Sequence, residues 1–230
     1  MNSISSHVKG SARKAQKKHL NLHGRPVFLN SEHPLPDNID LQSVLDKVNM
    51  TIPRHLTGEL DVVYVGDFDF FKETDTNAAY QSGAIYISNT QDDDDDILDD
   101  LVHEIAHCAE ASFPNQIYSD GQLEKDFLFR RQRLKSILRS HEYDVEKYDF
   151  ENPDFDRELD IFLFEVVGYE ALGSLTEGLF CSVYGATSLK EYWATAFEEY
   201  FLGDRKYVYN ISKILYNKIH ELVNYQHQQS

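Results

Sequence analysis

Residues 97–111 read Ile97-Leu98-Asp99-Asp100-Leu101-Val102-His103-Glu104-Ile105-Ala106-His107-Cys108-Ala109-Glu110-Ala111, and fold and chemistry both turn on this stretch. Ile97, Leu101, Ile105 and Cys108 recur at helical spacing, which predicts an amphipathic helix over 97–111, with Pro114 closing the region. On a helix, positions four apart face the same way, so His103 and His107 can grip one zinc ion between them. Glu104 flanks that ion instead of binding it, and can take a proton from water made acidic by the metal. The bland rival is a surface helix that happens to hold two histidines. His141-Glu142 shows the contrast: no second histidine follows four positions after His141, so it carries no such reading.

Outward from this helix, Asp92 to Asp96 form a run of five aspartates. It lacks the spaced ligands and glycine turn of a calcium loop, and its place before a helix suits the positive end of the helix dipole. Strands are expected at Pro26–Leu29, Leu60–Val65 and Gly83–Ser88. A helix is expected over Asp40–Val48, with Leu41, Val44, Leu45 and Val48 inward. Residues 120–148 are charged and partly helical in pattern. A long apolar helical stretch follows over Arg157–Phe180, interrupted at Gly168 and Gly173. Further helices are expected at Ser188–Leu202, ended by Gly203, and at Val208–Val223. Strands first and helices later argue for an α+β fold.

Residues 1–25 read as a basic, loosely ordered arm, with Lys9, Arg13, Lys14, Lys17, Lys18 and Arg25. Residues 26–230 suit one compact domain. The formal charge of −17 repels phosphate backbones, so nucleic acid is not an expected partner. No apolar run reaches membrane-spanning length, and the basic N-terminal residues are not followed by the apolar run of a secretory signal. A cytoplasmic location with reduced Cys108 and Cys181 is the expectation, although export by another route leaves the same trace. The glycosylation patterns at Asn49 and Asn210 then carry no weight.

A catalytic zinc needs a third protein ligand beside an open position. The extended His-Glu-x-x-His-x-x-Gly-x-x-His pattern is absent, because Glu110 and Phe113 stand at its last two places. Later carboxylates are the alternative: Glu165, Glu170, Glu177, Glu191, Glu198 and Glu199, with Cys181 a thiolate candidate. Cys108 points to another face and reads as core. Ser188-Leu189-Lys190-Glu191 is also a capping box, in which Glu191 would bond back to the Ser188 backbone.

Tyr184-Gly185 followed by Glu191-Tyr192-Trp193-Ala194-Thr195-Ala196-Phe197 resembles the end of the catalytic domain of anthrax lethal factor-like zinc metallopeptidases. There a Tyr-Gly precedes, by seven residues from the tyrosine, a glutamate that opens a helix of the form Glu-aromatic-aromatic-Ala-x-Ala-Phe. The resemblance covers residues 80–110 and 180–202. It implies that Glu191 is the third zinc ligand and that the Tyr184 hydroxyl steadies the oxyanion. It implies a zincin-like (gluzincin) fold, with a small mixed sheet whose edge strand precedes the active helix and a helical half after it. It also implies a protein or peptide substrate paired to the edge strand Gly83–Ser88. Two departures stand out. Thr195 occupies the place of a family glutamate, so support for a histidine must come from elsewhere. Glu191 follows His107 by 84 positions, a long gap that an inserted helical hairpin near 120–160 would explain. The expected function is peptide hydrolysis with one zinc ion. The rivals are a non-catalytic zinc-binding interaction domain and a zinc hydrolase of a non-peptide amide.

Overall fold

The computed structural model describes residues 20–30, 34–74 and 76–225, so most of the expected basic arm lies outside the described residues. The chain enters through a hairpin of β1 (Asn21–Leu22) and β2 (Arg25–Leu29). Its two turn residues, His23 and Gly24, have φ of 51° and 85°, the geometry that matches the twist of paired strands. Leu22 is fully buried. The domain therefore begins before Pro26, inside the segment expected to be an arm.

Helix α1 (Leu41–Thr51) is capped by Asp40, whose side chain accepts from the Ser43 N–H, and it buries the four residues its periodicity marks. Strand β3 (Val62–Gly66), the short helix α2 (Asp69–Thr74), β4 (Ala78–Gln81) and β5 (Ala84–Ser88) follow. The sheet order is β1-β2-β3-β5-β4. Strands β2, β3 and β5 are parallel, while β1 and β4 run antiparallel to their neighbours. Alternation decides the faces. Val63, Val65, Ile85 and Ile87 point into the core. Phe28, Tyr64 and Tyr86 stack on the other face, with ring centroids 5.7 and 5.4 Å apart.

One expectation changes here. The strand near Gly83–Ser88 is not the edge: Ala84–Ser88 lies between β3 and β4, and β4 is the border. The cause is a two-residue hairpin at Ser82-Gly83, with φ of 49° and 85°, which folds Ala78–Gln81 back along β5. A Cβ at Gly83 would also come within 2.9 Å of Asp61 Oδ2, so glycine answers both demands.

The rest is helical. Helix α3 (Asp94–Ser112) carries the two histidines, and is followed by α4 (Pro114–Tyr118) and α5 (Gln122–Ser140). The aspartate run serves as a helix start: the Asp93 side chain accepts from the N–H groups of Asp95 and Asp96. The expected helical hairpin near 120–160 is a single helix, α5, with a return over 141–156 that holds no helix. Leu123, Phe127, Leu134 and Leu138 of α5 are fully buried, so this segment is part of the core.

The stretch 157–180 breaks into α6 (Arg157–Ile161), a π-helical turn (Phe162–Val167) and α7 (Tyr169–Leu175). Gly168, with φ of 84°, makes the break, whereas Gly173 sits inside α7. A 3-10 turn (Tyr184–Ala186) leads into α8 (Leu189–Leu202). The expected last helix is two, α9 (Arg205–Ile211) and α10 (Lys213–Val223). Ser212 divides them: its extended backbone leaves the helix, and its hydroxyl caps α10 by accepting from the Leu215 N–H. The Asp126 carboxylate of α5 accepts from the hydroxyls of Tyr192 and Ser212 and pairs with Arg130, tying α5 to α8 and α10. The whole is a mixed α+β domain, and no helix among the described residues is long and apolar enough to cross a membrane.

Candidate metal centre

The site forms where α8 lies against α3. Trp193 is fully buried, and its Nε1–H donates to the Ala106 carbonyl at 3.2 Å. This places Glu191, on the same helix, opposite the histidines. Ser188 caps α8, its Oγ accepting from the Glu191 N–H at 3.2 Å. The expected capping box is thus half made. The Glu191 carboxylate, which would have returned to the Ser188 backbone, is turned to the histidines.

His103 Nε2 lies 2.9 Å from Glu191 Oε2, and His107 Nε2 lies 3.6 Å from Glu191 Oε1. One ligand atom from each of the three residues falls within 4.8 Å of the others. A tetrahedral zinc with bonds of about 2.0–2.1 Å sets its ligand atoms roughly 3.4 Å apart, between the two distances found. Two imidazole nitrogens and one carboxylate are a donor set that zinc accepts, and three protein ligands are the number a catalytic site uses.

The remaining nitrogens are held as well. His107 Nδ1 is 2.6 Å from Glu110 Oε2, and the buried Glu110 also accepts from the Tyr118 hydroxyl. His103 Nδ1 is 3.3 Å from Glu198 Oε2. A carboxylate behind a ligating imidazole fixes its tautomer and ring orientation. Glu198 therefore supplies the support that Thr195 does not. The Thr195 hydroxyl donates to the Glu191 carbonyl at 2.8 Å and packs onto Gly185. Glu110 does not stand out in the sequence, whereas Glu198 is already among the later carboxylates considered. The available signals are the three-residue step from His107 to Glu110 and the two-turn step from Glu191 to Glu198. Among the other carboxylates considered, Glu165, Glu170 and Glu177 are exposed, and Glu199 accepts from the Asp204 N–H at the end of α8. Cys181 is not among the gathered ligands.

Glu104 is buried beside the histidines. Burial pushes its carboxyl above the usual range, opposed by the charges of His107 and His103 and by the Tyr80 N–H of β4. Tyr184 sits on its 3-10 turn with its ring 6.2 Å from that of His103. Burial and the charge of Glu191 hold its phenol protonated at neutral pH. Gly185 makes this approach possible: a Cβ there would meet Thr195 Oγ1 at 2.6 Å. Gly185→Ala is therefore expected to push the Tyr184 turn off α8, costing about 1–3 kcal/mol of stability. Denaturant unfolding measures that cost, and an unchanged midpoint would contradict the close packing.

Burial alone would lower the His103 pKa, but hydrogen bonds to Glu191 and Glu198 outweigh it and raise it to about 10. His107 is raised too, because Glu110 and the charge of Glu191 outweigh burial. A metal must displace the proton from His103. Metal affinity should therefore climb with pH towards about 10, and binding at pH 7 should release protons. Calorimetric zinc titrations of metal-free protein, run in buffers of different ionisation enthalpy, count those protons. Binding without proton release would contradict the assignment.

Comparison with known proteins brings no family to this geometry: no protein-family model matches the chain, and neither does any curated protein or solved structure.

Proposed function

We propose that this chain is a zinc-dependent metallopeptidase with a zincin-like fold, akin to the lethal factor-like enzymes its motifs resemble. One observation carries the reading: two helix-borne imidazoles turn their Nε2 atoms to Glu191, while buried or half-buried carboxylates hold both Nδ1 atoms. So ordered a donor set, beside a buried glutamate, is more than a chance pair of histidines requires. Bound zinc, held by His103, His107 and Glu191, would supply a water acidic enough to lose a proton near neutral pH.

The protein's own groups do the rest. Glu104 accepts the proton of the attacking water and delivers it to the leaving amine nitrogen, a transfer its raised pKa favours. The Tyr184 hydroxyl, protonated at neutral pH, donates to the oxygen that gains charge as the carbonyl carbon is attacked. Strand β4, the border of the sheet among the described residues, would pair with an extended peptide along its outer side, taking the part expected of Gly83–Ser88. The test is metal analysis of purified protein together with digestion of an unbiased peptide library. One zinc per chain and chelator-sensitive cleavage are expected. Zinc without cleavage would favour a binding domain or a non-peptide amide as substrate.

A further inference from the structure

The contacts of the metal centre reach past Glu110 to helices α4 and α10. Glu110 is 8% exposed, and both oxygens of its carboxylate are engaged. Oε2 faces His107 Nδ1 at 2.6 Å, while Oε1 accepts from the hydroxyl of the half-buried Tyr118. A buried carboxylate is costly to hold without partners. Without the hydroxyl, Oε1 would have to turn towards another donor or take up a proton, and either change draws Oε2 away from the imidazole. The orientation of His107 therefore depends on where α4 holds the tyrosine.

Helix α4 cannot keep that place unaided. It has five residues, too few for a helix to stand alone, so packing imposes its position. Ile117 is fully buried. Lys218 of α10 supplies the polar part of the hold. It is buried, and its Nζ donates to the Gln116 carbonyl at 3.1 Å and to both carboxylate oxygens of Asp120 at 3.1 Å. Positions 116 and 120 straddle Tyr118, so one ammonium fixes the backbone on both sides of it. The carbonyl it meets is among those a helix leaves unpaired at its end, where a cation is also favoured. Asp120 accepts from the Gln122 N–H as well, which sets the start of α5 by the same grip.

We infer that Tyr118 is a positioning residue for the metal ligand His107, acting through Glu110, and that Lys218 holds Tyr118 in place for this task. This rests on the metal-centre part of the proposed function and is independent of the substrate. Groups behind a ligating imidazole fix its ring and tautomer. Here that support is a relay from α10 through α4 to α3, so α10 helps to set how firmly the ion is held.

The experiment is a double-mutant cycle read as zinc affinity, by competition with a chelator, in the full chain. Tyr118→Phe keeps the ring and removes only the hydroxyl. It should weaken zinc binding about 3–10-fold, below the roughly 10–100-fold typical of a group directly behind a ligand. Combined with Glu110→Ala, which leaves the hydroxyl nothing to hold, Tyr118→Phe should add less than about a twofold change. In zinc-loaded protein labelled with ¹⁵N-histidine, Tyr118→Phe should also speed solvent exchange of the His107 Nδ1–H, a change that lower stability alone does not produce. Lys218→Met keeps the apolar stem and should weaken zinc binding when Tyr118 is present, but not when combined with Tyr118→Phe. Should Lys218→Met fail to fold, the cycle of Tyr118 and Glu110 still decides. Zinc affinity equal to wild type in Tyr118→Phe, or an equal loss with and without Glu110, overturns the relay and leaves the metal centre standing. A wild-type protein that binds no zinc overturns both.

Discussion

Glu104→Gln is expected to keep its zinc and lose turnover, by a factor on the order of 10²–10⁴, the usual worth of a positioned general base. The amide has nearly the shape of the carboxylate, so it fits the same buried pocket and still offers an oxygen to the Tyr80 N–H. It cannot accept a proton. Burial strengthens the contrast, because a carboxylate lifted above its ordinary pKa is a better proton carrier at neutral pH than an exposed one. Zinc content by mass spectrometry and initial rates on one cleaved peptide separate the two effects. A variant that retains its metal and cleaves at the wild-type rate would falsify the assignment of Glu104 as base.

Glu191→Ala should do the reverse and strip the metal. Loss of a supporting carboxylate behind a histidine typically weakens a metal site about 10–100-fold. Glu191 belongs to the site itself, so its removal should cost more than that, and activity should vanish with the zinc. The fold should persist. The cap of α8 uses the backbone N–H of Glu191 and the Ser188 hydroxyl, neither of which the substitution touches. Trp193 still anchors the helix to Ala106. Competition with a chelator of known affinity measures the loss, and circular dichroism checks the helix content. Full zinc retention would place the third ligand elsewhere. Glu110→Gln gives the comparison, since it should fall within the smaller range while leaving all three ligands in place.

Much of this arrangement was readable beforehand where a local pattern carries its own physical reason. The 3.6-residue recurrence from Ile97 to Cys108 marks the inner face of α3, and Ser188 with Gly203 brackets α8. The resemblance carried by the Tyr-to-Glu spacing implied Tyr184 and Glu191 as partners of the histidines. Other features depend on distant partners. Strand β4 has only four residues, and its identity rests on the Ser82-Gly83 turn and on pairing with β5. Glu198 has no visible partner until α8 packs on α3 and turns it to His103, whereas Glu110 already shares α3 with His107 and gains the Tyr118 hydroxyl from α4. The periodicity of Val208–Val223 runs on through Ser212, because Ile211, Ile214 and Leu215 keep an inward face while the backbone breaks locally to serve a cap and Asp126.

The separation of the ligands has a consequence for how the protein matures. His103 and His107 share one helix and are available as soon as it forms. Glu191 arrives 84 positions later and is brought in by a helix that docks on α3 and on α5. A nascent chain that ends before α8 offers only a two-pronged grip. In the proposed enzyme, firm capture of the ion is thus a late event in biogenesis, and retention of the ion under mild chelation reports that the second half of the chain has closed on the first.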